Sequence, residues 1–137
     1  MNASEEKQVT ENEIKKSDWI RCDVMAKGCP SRTVLQHLSS KWGSLILVAL
    51  LSEKHRFSGL KRKIDGISEK ILSQNLQLLE CDGMVIRHSF NEIPPHVEYS
   101  LTTLGKDVAI KLQELILIIE SSQEFFLNKK RKLNENS

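Results

Sequence analysis

Residues 66–83 read GISEKILSQNLQLLECDG, and the fold turns on this stretch. It opens on Gly66-Ile67-Ser68, where the Ser68 hydroxyl can accept from a first-turn N–H that no helix carbonyl reaches. It closes on Asp82-Gly83, and glycine readily takes the left-handed conformation that ends a helix. Between these caps Ile71, Leu72, Leu76 and Leu79 recur at one-turn spacing and make one apolar side. Glu69, Lys70, Ser73, Gln74 and Gln77 fall largely on the other. Amide, hydroxyl and lysine side chains are the types that read base edges and hold phosphates. In isolation the stretch also describes a surface helix with a solvated face, so its neighbours decide between the two.

Upstream, Phe57 is expected in a very short strand, followed by a helix SGLKRKI capped by Ser58. Leu60 and Ile64 would face inward, with Lys61, Arg62 and Lys63 largely outward. Asp65-Gly66 then makes the turn into the 66–83 stretch. Two helices joined by a short turn, the second capped and polar-fronted, form a helix-turn-helix. The run WGSLILVALL at 42–51 is apolar on nearly every side, which marks a central core helix too short to span a bilayer. Before it, Pro30 suits a first helical position with Cys29 as N-cap, and Val34, Leu35 and Leu38 give a short amphipathic helix ending near Ser39-Ser40.

Downstream of Gly83 the apolar period shifts toward two. Residues 84–90 and 96–101 read as strands joined by Asn91-Glu92-Ile93-Pro94-Pro95, a hairpin placed to act as a wing along DNA. Thr102 caps a long final helix to about Leu127. Leu104, Val108, Leu112, Leu115, Ile116 and Ile119 form a stripe along it, and the run LILII at 115–119 exceeds what one small domain covers, which predicts a dimer interface. The competing reading is a core helix packed on its own domain. The tail NKKRKLNENS at 128–137 is basic and is expected to be disordered. The fold class is mainly α with some β: a polar arm at 1–28, a winged helix-turn-helix domain at 29–105, a dimerisation helix at 106–127 and the tail.

Composition narrows the function. The 137 residues suffice for one domain with extensions, and a net charge of +2 decides little for the whole chain. Its distribution matters more, because Arg56, Lys61, Arg62, Lys63 and Lys70 cluster just before and within the polar-fronted helix. Neither a membrane span nor a signal-peptide core is visible, so a cytoplasmic location with three reduced cysteines at rest is expected. The four histidines are scattered with no nucleophile–base set, and Cys22, Cys29 and His37 are too widely spaced for a structural zinc site. No cofactor, metal or catalytic residue is expected.

For DNA contact the residues selected are Ser68, Lys70, Ser73, Gln74 and Gln77, with Lys41, Lys61, Arg62 and His96 assigned to phosphates. For each the alternative is a solvated surface residue. Cys29 is the other candidate. At a helix N-terminus, with Lys27 and Arg32 nearby in sequence, its thiolate is favoured, and Cys22 or Cys29 of a second subunit could resolve it. The alternative is a capping or packed cysteine. Cys81 is expected to be incidental.

An ordered set of short segments carries a family resemblance: Cys29-Pro30, Lys41-Trp42, Arg56-Phe57-Ser58-Gly59-Leu60, the 66–72 stretch, Leu79-Glu80, Asp82-Gly83 and PPHVEYSLTTLG at 94–105. The chain resembles the HxlR-type winged helix-turn-helix transcriptional regulators of bacteria. The resemblance implies a homodimer that places its recognition helices in successive major grooves of a palindromic operator. It also implies that a thiol-reactive small molecule can act as effector, since in thiol-sensing members the sensing cysteine matches Cys29. The family often carries arginine where Asn75 and His96 stand here. Two other readings remain, a winged-helix module that binds protein and a regulator with a non-covalent small-molecule effector.

Overall fold

The computed structural model describes residues 23–136 and divides the chain into two units, 1–36 and 37–137. Most of the arm expected at 1–28, including Cys22, lies outside the described residues. In the first unit the chain turns through Ala26 N–H to Asp23 O (2.8 Å) and Cys29 N–H to Ala26 O (3.2 Å), then enters helix α1, Pro30–Ser39. Pro30 is the first helical residue, as its fixed φ and missing donor favour.

Helix α2, Lys41–Ser52, follows at once. Ser40 caps it by accepting from Gly43 N–H at 3.1 Å, while its own hydroxyl donates to His37 O at 2.9 Å. A side chain at Gly43 would strike that same His37 carbonyl, so the α1–α2 corner demands glycine. Ile46, Leu47, Ala49 and Leu50 of α2 are buried, and the helix packs against the helices at 69–81 and 103–121.

Strand β1, His55–Arg56, leads directly into helix α3, Phe57–Lys63. Here the expectation shifts. Phe57 begins the helix instead of lying in the strand, and Ser58 is inside the helix instead of capping it. The cause is sheet pairing: β1 is fixed opposite the second wing strand, His55 against Tyr99 and Arg56 against Glu98. The helix must start where that pairing stops, and its N-cap, Arg56, makes no side-chain cap bond. Ile64 and Ile67 are buried on either side of the turn, whose Gly66 has φ 84°.

Helix α4, Glu69–Cys81, is followed by β2, Val85–Phe90, and β3, His96–Leu101. The hairpin register runs from Val85 opposite Leu101 to Phe90 opposite His96. With β1 added, the expected two-stranded wing belongs to a three-stranded antiparallel sheet of order β1-β3-β2.

The C-terminal region departs most from expectation. Helix α5 spans Thr103–Ser121 and a separate helix α6 spans Gln123–Glu135. The single helix breaks at Ser122 because Ser121 and Ser122 both turn their hydroxyls onto Ile118 O, at 3.0 and 2.8 Å. Such back-bonding competes with the helical ladder. The stretch expected to be a disordered tail is helical to Glu135, since Lys129–Leu133 are good helix formers with cations near the C-terminal, negative end of the dipole.

Candidate nucleic-acid interface

Helix α4 has the caps its sequence announces. Ser68 Oγ accepts from Ile71 N–H at 3.1 Å, and Gly83 has φ 76° just past the C-terminus. Leu72, Leu76 and Leu79 are fully sunk into the core, each burial contributing roughly 1.5–3 kcal/mol. That anchor fixes which side faces out. Lys70, Ser73, Gln74 and Gln77 lie on that exposed side at the spacing of successive turns. Their polar ends bond to nothing else among the described residues, which leaves them available to base edges.

Several contacts hold this helix in place. Asp82, at its C-cap, receives a hydrogen bond from His37 Nδ1 at 2.7 Å, tying the end of α4 to the α1–α2 corner. Thr102 binds the same end from the other side. Its hydroxyl donates to Gly83 O at 2.6 Å and accepts from Gly105 N–H at 2.9 Å, and its backbone N–H bonds Met84 O at 3.0 Å. One threonine therefore joins the end of α4 to the beginning of α5.

The remaining selected residues separate into groups. Lys61 and Arg62 are exposed on α3, the helix before α4, which suits contact with a backbone. Lys41 is exposed at the start of α2, its ammonium lying over the Trp42 ring at 4.2 Å. His96 does not stand free for a phosphate. Its ring stacks on Phe90, with centroids 4.5 Å apart, and its nitrogens lie 3.8 Å from Glu92 and 3.8 Å from Glu98. A ring flanked by two carboxylates presents a poor surface to an anion. Asn75 is likewise withdrawn, its Nδ2 donating to Ile71 O at 2.9 Å. Sequence reasoning passed over Arg87 and His88, both exposed on β2. Alternation along the strand did not signal them, because it places Arg87 on the face of Val85 and His88 on the face of Phe90, whereas the burial of β2 is confined to its two ends.

The predicted dimer stripe also divides. Val108, Leu112 and Ile116 are half-buried on the side of α5 that carries the buried Gly105 and Ala109. Leu104, Leu115 and Ile119 are exposed. Leu117 and Ile118 on α5, and Phe125, Phe126 and Leu127 on α6, extend the open apolar surface beyond the stripe.

Cys29 is buried and disulfide-bonded, so it is not the resting thiol that was expected. Its partner lies outside the described residues. Cys81 is a free, exposed thiol at the end of α4. Among the described residues no group of three or more His, Cys, Asp or Glu side chains is placed to hold a metal ion, and no single helix is long and apolar enough to cross a membrane.

A polar, exposed helix front on a buried leucine back, followed by a β-hairpin wing, is a DNA-binding geometry. A match to the HxlR-like helix-turn-helix family covers residues 37–125, more than half of the chain. The chain belongs to that family. It is 55% identical over 98 residues to YtfH of Escherichia coli (strain K12), an uncharacterised HTH-type transcriptional regulator, covering 72% of this chain and 78% of that one. Among solved structures, ytfH from Salmonella typhimurium aligns with a TM-score of 0.76 at 50% identity, over 80% of this chain and 98% of that one. The redox regulator HypR in its reduced form aligns at 0.66 and 28% identity, over 72% and 98%. The HxlR-like chain is thus a winged-helix transcriptional regulator and not an enzyme.

Proposed function

We propose that this regulator acts in the cytoplasm as a homodimer on a palindromic operator, with the α4 helices in successive major grooves. The observation that carries the reading is the exposed, unengaged row Lys70, Ser73, Gln74 and Gln77 above the buried Leu72, Leu76 and Leu79. Lys70, Ser73, Gln74 and Gln77 read or border bases, and the Ser68 hydroxyl can still donate to a phosphate while it caps. Lys41, Lys61, Arg62 and Arg87 supply phosphate contacts. A mobility shift with the intergenic DNA upstream of the gene, run across a salt series, tests it. Operator binding that outlasts binding to random DNA and falls steeply with salt is expected. Equal binding to both would remove the sequence-specific reading.

A thiol response is the second part of the proposal, supported by the engaged state of Cys29 and by the likeness to a redox regulator. Disulfide and dithiol forms constrain the approach to α1 differently, and a thiol-reactive molecule would shift their ratio. Dithiothreitol should change the operator affinity of the disulfide-bonded wild type, diamide added afterwards should reverse that change, and Cys29→Ser should respond to neither. The same response in both proteins would take Cys29 out of regulation.

A further inference from the structure

A cavity of about 390 Å³ opens between α2, the α3–α4 corner and α5. Its size falls at the lower end of the roughly 300–1,000 Å³ usual for small-molecule sites. Leu45 and Val48 of α2 and Ile64 at the corner make an apolar wall. The polar groups that line it are Ser52, Lys63, Asp65 and, from α5, Gln113. Lys63 is distinct from its neighbours Lys61 and Arg62, because its Nζ is drawn back to donate to Ser52 Oγ at 3.1 Å. The hydrogen bond leaves the ammonium two further N–H donors beside the apolar wall.

We infer that this cavity binds a compact apolar carboxylic acid, its body against Leu45, Val48 and Ile64 and its carboxylate on Lys63, and that occupancy alters operator binding. An apolar cavity with one placed ammonium and one amide suits a compact monoanion. The surrounding charge favours the same sign, since residues 61–70 carry four cations against two carboxylates. Asp65 at the rim disfavours a dianion, and the two rim charges disfavour burial under an apolar protein face. The link to DNA rests on the recognition role proposed for α4. Ile64 and Asp65 lie one turn residue, Gly66, and two further residues before Glu69 begins that helix, whereas Gln113 belongs to α5. A molecule between them holds the corner and α5 at one spacing.

The test is a titration of the full chain followed by amide NMR with benzoate, benzamide and benzylamine, alongside Lys63→Gln. Lys63 is exposed and outside the residues assigned to DNA, so its replacement should leave the fold and basal operator binding intact. Benzoate should give saturable shifts at Leu45, Val48, Ile64 and Gln113. Binding should weaken about tenfold for benzamide, for benzylamine and in Lys63→Gln, as loss of a charge-assisted hydrogen bond implies. Benzoate should also change the mobility shift of the wild type, and less so that of Lys63→Gln. Absent or scattered shifts, equal binding of all three probes, or an unmoved operator affinity in a chain that binds both benzoate and operator would overturn the inference. A chain that binds benzoate in the cavity but no DNA would instead remove the recognition role of α4 and leave the binding site standing.

Discussion

A methyl group has no room at Gly105. It would meet the Met84 carbonyl oxygen, with the carbonyl carbon at 2.9 Å and Met84 Cα at 3.3 Å, all of them backbone atoms that cannot swing aside. Alanine is favoured over glycine inside helices by about 1 kcal/mol, so propensity alone would make Gly105→Ala stabilising. The close approach opposes this and should win. Overpacking against fixed atoms costs about 1–3 kcal/mol, with the upper part of that range expected for backbone. Gly105→Ala should therefore lower the thermal midpoint followed by circular dichroism, and an unchanged or raised midpoint would contradict the contact. Thr102 was legible as a cap from sequence, because Thr-x-x before an apolar period needs only local geometry. The clash at Gly105 was not, since Met84 is brought there by the turn after α4. Asn75 and His96 teach the same lesson. The residue type of His96 suggested a phosphate contact and Asn75 stands where the family often carries arginine, but a neighbouring phenylalanine with two carboxylates claims the one and a carbonyl one turn back the other.

At the level of elements, α4 was readable from end to end because its caps, turn glycines and apolar period all agree. This makes a sharp expectation possible for its front. Gln74→Ala removes an exposed amide and no packing, so stability should stay within about 0.5 kcal/mol. Operator affinity should fall by roughly 1–3 kcal/mol, the worth of a two-bond contact to a base, while affinity for random DNA barely moves. Parallel anisotropy titrations on the two DNAs measure the difference, and matching losses would show Gln74 to be no base reader. Boundaries set by other elements were less visible. The start of α3 depends on the pairing of β1 with β3, more than forty residues distant in sequence. The break at Ser122 rests on two hydroxyls choosing the Ile118 carbonyl over water, a choice that a helical period does not record.

For the whole molecule, the open apolar surface of α5 and α6 is the main feature that one chain leaves unfilled. Ile118 is 63% exposed at its middle. Ile118→Glu should preserve the monomer fold yet turn a dimer into a monomer in sedimentation velocity, with operator affinity reduced by about tenfold or more as the second half-site contact is lost. A variant that sediments and binds as the wild type would place the subunit contact elsewhere. The excess apolar character of residues 115–119 was legible in sequence, but the extension of this surface onto Phe125, Phe126 and Leu127 of a separate α6 was not. Helix α5 itself carries two apolar arcs, one spent on its own core.

The Thr102 junction has a consequence for how such a dimer would measure DNA. Through one hydroxyl, the base of α5 is pinned to the Gly83 carbonyl just past the end of α4, so the two helices are joined like the arms of a single bracket. With nineteen residues, α5 is close to 28 Å long at about 1.5 Å per residue. A change of ten degrees at its far end, where subunits would meet, displaces the junction by roughly 5 Å, more than the step of about one base pair along a duplex. Operator spacing is then a dimension held by helix stiffness, and the permitted spacer length becomes a gauge of the angle at which two copies cross.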